Sequence, residues 1–253
     1  MAEEISMLQL KQVSVTYPNG FAGLQPVSIT FRAAQITVLL GESGAGKSTL
    51  LRSLNFLNRP TSGTIVVEGL GELNNSKIIG EHRRRTAMIF QQHQLIGRYN
   101  AFNNVLMGRV AFHGRLRGLF PLPRVEQRLA LECLERVGLI DKAFERVDKL
   151  SGGQQQRVGI ARALAQQPKI ILADEPVASL DPGTANTILS LLLAICREDR
   201  IPVVLSLHQL EFAKTYADRI VALSGGRVVF DGRPDMLRGK LLGEIYRSGA
   251  LAA

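Results

Sequence analysis

Nine consecutive residues, Gly41-Glu42-Ser43-Gly44-Ala45-Gly46-Lys47-Ser48-Thr49, have the types and spacing of a phosphate cradle. The pattern Gly, four residues, Gly, Lys, Ser requires a strand before it and a helix after it. Both are present: Gln35–Leu40 is apolar and β-branched, and Leu50, Leu51, Leu54 and Leu57 recur at helical spacing. Gly44 and Gly46 let backbone N–H groups wrap phosphate oxygens beside the positive end of a helix. Lys47 supplies a charge to the β- and γ-phosphates, and the Ser48 hydroxyl suits Mg²⁺. A glycine-rich turn that binds nothing leaves Lys and Ser in this register unexplained.

A second apolar run, Lys169–Ala173, ends in Asp174-Glu175-Pro176. Carboxylates at the carboxyl end of a parallel strand sit where doubly wound sheets place their ligand chemistry. Asp174 would hold Mg²⁺, directly or through water, and Glu175 would polarise an attacking water. Between these two motifs lies Leu150-Ser151-Gly152-Gly153-Gln154, followed by Val158, Ile160, Ala161, Leu164 and Ala165 at helical spacing. Ser151 is a good N-cap, and the helix it heads offers another anion-binding end. A plain capped helix accounts for Ser151 but not for the double glycine and three glutamines after it.

In this order and over essentially the whole length, these motifs resemble the ATP-binding cassette family of transporter ATPases. The resemblance implies that Ser151, Gly152, Gly153 and Gln154 contact ATP held by the phosphate loop of a second copy, in a head-to-tail dimer. It also assigns smaller sites. Gln91 in Met88-Ile89-Phe90-Gln91 matches the glutamine that senses Mg²⁺ or water and couples to the membrane partner, with Gln92 as the rival. His208, after Val203–Leu207, matches the histidine that contacts the γ-phosphate. Asp181 in Ser179-Leu180-Asp181 matches the loop linking the two ATP sites. Tyr17 matches the aromatic that stacks on adenine, and Phe21 could take that place. Phe90–Arg98, Asn104–Arg109, Ala173–Pro182 and Ser206–Gln209 look like the phosphonate importer ATPases. Those work as two ATPase chains beneath two permease chains, fed by a periplasmic binding protein, at the cytoplasmic face of the bacterial inner membrane. Import of a phosphonate or of phosphite is therefore implied by resemblance. Tyr99-Asn100-Ala101-Phe102 departs from the Thr-Val-Leu-like stretch expected there.

Composition agrees. With 253 residues, 45% of them hydrophobic, the chain can bury a large core. Cys133 and Cys196 lie in helix-like apolar segments without metal spacing, which reads as buried thiols of a reducing cytosol. The start, Met-Ala-Glu-Glu-Ile, is acidic and unlike a signal peptide, and the apolar helical stretch Ile188–Cys196 is far short of the roughly 20 residues a bilayer requires. Between Glu81 and Arg128 stand nine Arg, no Lys and two Glu, a net +7 of the chain's formal +9. That segment is either a dock for an anionic lipid surface and a membrane subunit or a solvated arginine-rich face.

The elements that must position these groups are legible at low resolution. Strands are predicted at Leu8–Tyr17, Val27–Phe31, Thr64–Glu68 and Thr86–Phe90, and a mostly helical stretch from Gln92 to Gln166. Then come strand Ile170–Ala173, helix Thr184–Arg197, strand Val203–Leu207, helix Gln209–Ala217 and a hairpin of Ile220–Leu223 with Arg227–Phe230. The fold class is α/β: a P-loop NTPase core with a parallel doubly wound sheet, an antiparallel β subdomain and an inserted helical subdomain. Residues 1–253 form one ATPase domain, with 1–91 and 167–253 as core and 92–166 as the helical insert. A nucleic-acid-acting ATPase of the same core is disfavoured, because no heptad array or cysteine cluster occupies the 104 residues from Lys47 to Ser151. A binding module without turnover is disfavoured by intact Lys47, Asp174, Glu175 and His208. An importer of another solute, such as phosphate or an amino acid, and a small exporter remain the alternatives within transporters.

Overall fold

Strand β3 (Ile36–Leu40) is buried at all five positions, and its alternating side chains divide the molecule into two cores. Side chains along a strand point to opposite faces with a period of two. Ile36, Val38 and Leu40 enter one core while Leu39 enters the other. The same alternation runs through β7 (Ile170–Ala173) and β8 (Val203–Leu207), so the central sheet carries packed layers on both sides. Near-continuous apolar strands are what a sheet covered on both faces requires. The computed structural model describes residues 6–91, 94–113 and 121–246.

Among the described residues, ten strands form two sheets. β1 (Ser6–Thr16), β2 (Ala22–Arg32), β4 (Ser62–Val67) and β5 (Gly71–Glu72) make an antiparallel sheet in the order β2-β1-β4-β5. The central sheet runs β10-β9-β3-β8-β7-β6, with β6 (Thr86–Ile89), β9 (Arg219–Ser224) and β10 (Arg227–Gly232). Its pairings are parallel except β9–β10, the hairpin predicted around Ser224-Gly225-Gly226. One core holds the antiparallel sheet and helix α1 (Lys47–Leu54), through Leu50, Leu51 and Leu54. Each such leucine, fully withdrawn from water, contributes about 1.5–3 kcal/mol.

The other core gathers the remaining long helices. These are α4 (Arg124–Arg136), α5 (Gly152–Ala165) and α6 (Pro182–Glu198), joined by the short α3 (Ala101–Leu106) and α7 (Leu210–Tyr216). Helix α8 (Lys240–Ile245) packs on β9 and β10. Helix α2 (Ser76–Arg85) was not anticipated, because its last turn, His82-Arg83-Arg84-Arg85, hides the apolar period; its sequence signal is Asn75, whose side chain accepts from the Ile78 N–H at 3.0 Å.

Two expectations need correction. Leu57 is not on α1: the helix stops at Leu54, Phe56 turns left-handed at φ 55°, and Leu57 is 47% exposed. Residues 138–150 are not α-helical but a series of turns and short 3₁₀ segments between α4 and α5. The arginine-rich stretch is partly compensated from within: Glu81 pairs with Arg84 and Arg85, and Arg109 forms a buried pair with Glu126 at 2.5 Å. Arg115 and Arg117, Gln92, and the two chain ends read from the sequence lie outside the described residues. No helix among the described residues is long and apolar enough to cross a membrane.

Candidate active site

The phosphate loop joins β3 to α1, and glycine is required where it touches its surroundings. Gly46, the N-cap of α1, has φ 101°, and a Cβ there would stand 2.7 Å from the Gly23 carbonyl oxygen. Gly41 has φ 151°, and its Cβ would meet the Leu223 carbonyl oxygen at 2.4 Å. The loop is thus wedged between the start of β2 and the end of β9. Lys47 is buried, and its ammonium donates to the Gly41 and Glu42 carbonyls at 2.7 and 2.8 Å and to His208 Nδ1 at 3.4 Å. Burial lowers its pKa from the usual lysine value, and the charges of Glu175 and Asp174 oppose that shift.

Asp174 and Glu175 follow β7 directly. Asp174 is buried, and its Oδ1 accepts from Ser48 Oγ at 2.7 Å and from Ser206 Oγ at 3.1 Å. The Arg52 guanidinium, one turn along α1, lies 3.6 Å from Asp174 Oδ2. Glu175 has φ 49°, a left-handed backbone that costs a non-glycine residue about 1–3 kcal/mol and clusters at functional sites. Its Oε1 meets His208 Nε2 at 2.5 Å. An ammonium can only donate, so His208 Nδ1 accepts from Lys47 and Nε2 carries the proton donated to Glu175. Lys47, Ser48, Asp174, Glu175 and His208 therefore form one connected network. Gln91 is exposed two residues beyond β6; since Ile89 pairs with Ala173, it leaves the sheet at the same edge as Glu175.

Ser151 stands apart from that network. It caps α5 in a reciprocal box: its Oγ accepts from the Gln154 N–H at 3.3 Å, and Gln154 Oε1 accepts from the Ser151 N–H at 3.0 Å. Gly153 is needed for close packing, since a Cβ there would stand 2.8 Å from Thr184 Cγ2 on α6. Asp181 caps α6, its Oδ1 accepting from the Thr184 N–H at 3.0 Å; a side-chain hydrogen bond with Thr184 chiefly, and this backbone contact in addition, hold its carboxyl below the usual pKa. An open cavity of about 670 Å³ is lined by Ser151, Gly153, Gln154, Lys142, Arg157 and Asp181, among others. No phosphate-loop residue, and neither Asp174 nor Glu175, is among its walls. The Ser151 cavity and the Lys47 network are therefore two separate places on the chain.

Tyr17 and Phe21 stand beside the phosphate-loop helix with rings 6.3 Å apart and 17° from parallel. The Tyr17 hydroxyl is 3.0 Å from Thr49 Oγ1 and accepts from Asn58 Nδ2 at 3.0 Å, while Phe21 is 58% exposed. The tyrosine is thereby anchored to α1 and the phenylalanine forms the outer ring.

Comparison with known proteins decides the lineage. The ABC transporter family matches residues 24–178. The phosphite import ATP-binding protein PxtA of Stutzerimonas stutzeri is 61% identical over 241 residues, covering 95% of this chain and 87% of that protein. The phosphonates import ATP-binding protein PhnC 3 of Nostoc sp. is 58% identical over 240 residues, covering 95% and 92%. The chain belongs to the ABC transporter family. Among solved ABC structures, the cassette MJ0796, a dimer in a post-hydrolysis state bound to ADP and phosphate, matches with TM-score 0.78 and 34% identity over 92% of this chain and all of that one. CbiO1 of Clostridium perfringens, part of the transporter complex cbiONQ, gives 0.81 and 28% over 91% and 90%. The fold is that of an ABC ATPase, and ATP is its nucleotide.

Two residues of this ABC network escape the sequence motifs. Arg52 looks like one more polar position on the exposed side of α1. Ser206 is the sole hydroxyl in the apolar run Val203–Leu207, and that interruption two residues before His208 was the available signal.

Proposed function

We propose that this chain is the ATP-hydrolysing subunit of an importer for phosphonate or phosphite. Two copies bind ATP between them beneath two permease chains at the cytoplasmic face of the membrane, and a periplasmic binding protein delivers the solute. The observation that carries the substrate reading is identity of 58–61% over 95% of the chain to proteins named for phosphonate and for phosphite import. The shared-site reading is supported by the separation of the Ser151 cavity from the phosphate loop within one chain.

In this reading Gly41 to Thr49 wrap the phosphates, and Lys47 gives up its bonds to the Gly41 and Glu42 carbonyls for the β- and γ-oxygens. Tyr17 and Phe21 supply the aromatic surface for adenine. Ser48 and Asp174 offer a hydroxyl and a carboxylate 2.7 Å apart, an all-oxygen donor pair that fits Mg²⁺, with Gln91 entering from the β6 edge. Bound there, Mg²⁺ would neutralise charge on the phosphate oxygens. Glu175 orients the attacking water and His208 contacts the γ-phosphate. The partner copy contributes Ser151, Gly152, Gly153 and Gln154, whose helix end adds positive potential. Asp181, on the wall of the Ser151 cavity, belongs to the loop that passes signals between the two ATP sites. Residues 92–166 act as the helical unit against the core, and the arginine-rich segment between Glu81 and Arg128 serves as the dock for the permease and anionic headgroups. Nucleic acid has no part in this scheme.

The test is growth of a host whose sole phosphonate and phosphite uptake route is this chain with its own permease. Growth on either phosphorus source with the parent chain, lost with Glu175→Gln while growth on phosphate is unaffected, is the expected result. Absence of growth on both sources with the parent chain present and membrane-bound would remove the substrate reading.

A further inference from the structure

Strand β8 is buried at every position, yet its fourth residue is a serine. Val203, Leu205 and Leu207 belong to one core and Val204 to the other, so Ser206 shares the face of Val204. On that face it meets the end of β7. Its hydroxyl is completely buried, donates to Asp174 Oδ1 at 3.1 Å and accepts from the Glu175 N–H at 2.8 Å. One oxygen therefore bridges the carboxylate of one residue and the backbone of the next. The backbone it holds is the left-handed one, at φ 49°.

We propose that Ser206 is a positioning residue for both acidic groups. It orients Asp174 toward Ser48, and it clamps the peptide preceding Glu175 so that the Glu175 carboxylate reaches His208, the residue that follows the strand carrying Ser206. A hydroxyl is the smallest group that donates and accepts at once, and it fits between two parallel strands where a longer polar side chain would not. Without it the Glu175 N–H loses its partner and the strained turn loses its clamp. The inference rests on the reading of Asp174 and Glu175 given above.

Ser206→Ala and Ser206→Thr in the assembled transporter test it. Threonine keeps the hydroxyl and adds a single methyl group. Ser206→Ala is expected to lower kcat about tenfold, the scale of a small misplacement of a catalytic group, with KM for ATP changed by less than about twofold. Ser206→Thr restores kcat to within about threefold of the parent, the scale of a retained hydrogen bond with slightly altered packing. On a Glu175→Gln background, Ser206→Ala lowers the single-turnover rate by a smaller factor than in the parent, because the part of its effect that runs through Glu175 is already lost and only the part through Asp174 remains. If Ser206→Ala does not fold, Ser206→Cys, close in volume and a weak donor, carries the same expectations. Parent kcat in the folded Ala or Cys variant, or equal losses for Ala and Thr, would overturn the proposal. A Glu175→Gln chain that hydrolyses ATP at the parent rate would instead remove the reading on which it rests.

Discussion

Lys47 is the most heavily bonded side chain of the phosphate loop's own network. Its ammonium is buried and spends its donors on two loop carbonyls and His208. On the proposed reading, ATP binding exchanges those contacts for charged phosphate oxygens, and a hydrogen bond to a charged group contributes about 1.5–3 kcal/mol. Lys47→Ala is therefore expected to weaken ATP affinity by roughly 10- to 100-fold, as measured by titration calorimetry. His82 makes a different prediction. Its ring is buried and bonds the Leu54 carbonyl through Nε2 at 2.7 Å; burial chiefly, and Arg83 in addition, lower its pKa from 6.5. The unfolded chain then binds the proton more tightly than the folded one. The stability contribution is complete above 6.5 and declines as pH falls from there toward the lower folded value, with a slope of at most about 1.4 kcal/mol per pH unit. Urea unfolding across this range checks it, and His82→Gln should flatten the dependence.

Elements set which of these side chains can meet. The phosphate loop, the acidic strand end and the Ser151 helix were all legible, because each pairs a glycine or acid motif with a long periodic segment. Helix α2 was not, since its polar last turn masks the period, and α1 was read one turn too long because Leu57 continues the spacing past a left-handed Phe56. Ser206 and Arg52 were missed for a related reason: their roles arise only when β7, β8 and α1 are brought side by side. Helix α5 carries its own prediction. Ser151→Arg removes the N-cap, which costs about 1 kcal/mol, and fills the mouth of the cavity in front of it. Its P-loop half-site is untouched, so sedimentation should show no ATP-dependent dimer while calorimetry gives monomer ATP affinity within about twofold of the parent, as expected of distant independent sites.

At the scale of the whole molecule, two cores sharing one sheet make local access to the interior costly. Cys133 lies in the helical layer and Cys196 on α6, 4% and 1% exposed, and burial pushes their thiols up to about 11 and about 12. Neither resembles a reactive cysteine. Labelling with a thiol reagent at neutral pH should leave the native chain unmodified and titrate both cysteines only after unfolding. The charge asymmetry seen in the sequence looks different in three dimensions, because Glu81 and Glu126 already answer three of the arginines around them.

On the proposed reading, the separation of the Ser151 cavity from the Lys47 network means that the molecule works as a pair. Sedimentation of the Glu175→Gln chain with saturating ATP and Mg²⁺ measures this most directly. Loss of the hydrolytic carboxylate should trap ATP at both shared sites, giving a species of twice the chain mass that disappears when nucleotide is removed. A chain that binds ATP but remains a monomer at saturation would contradict the shared site.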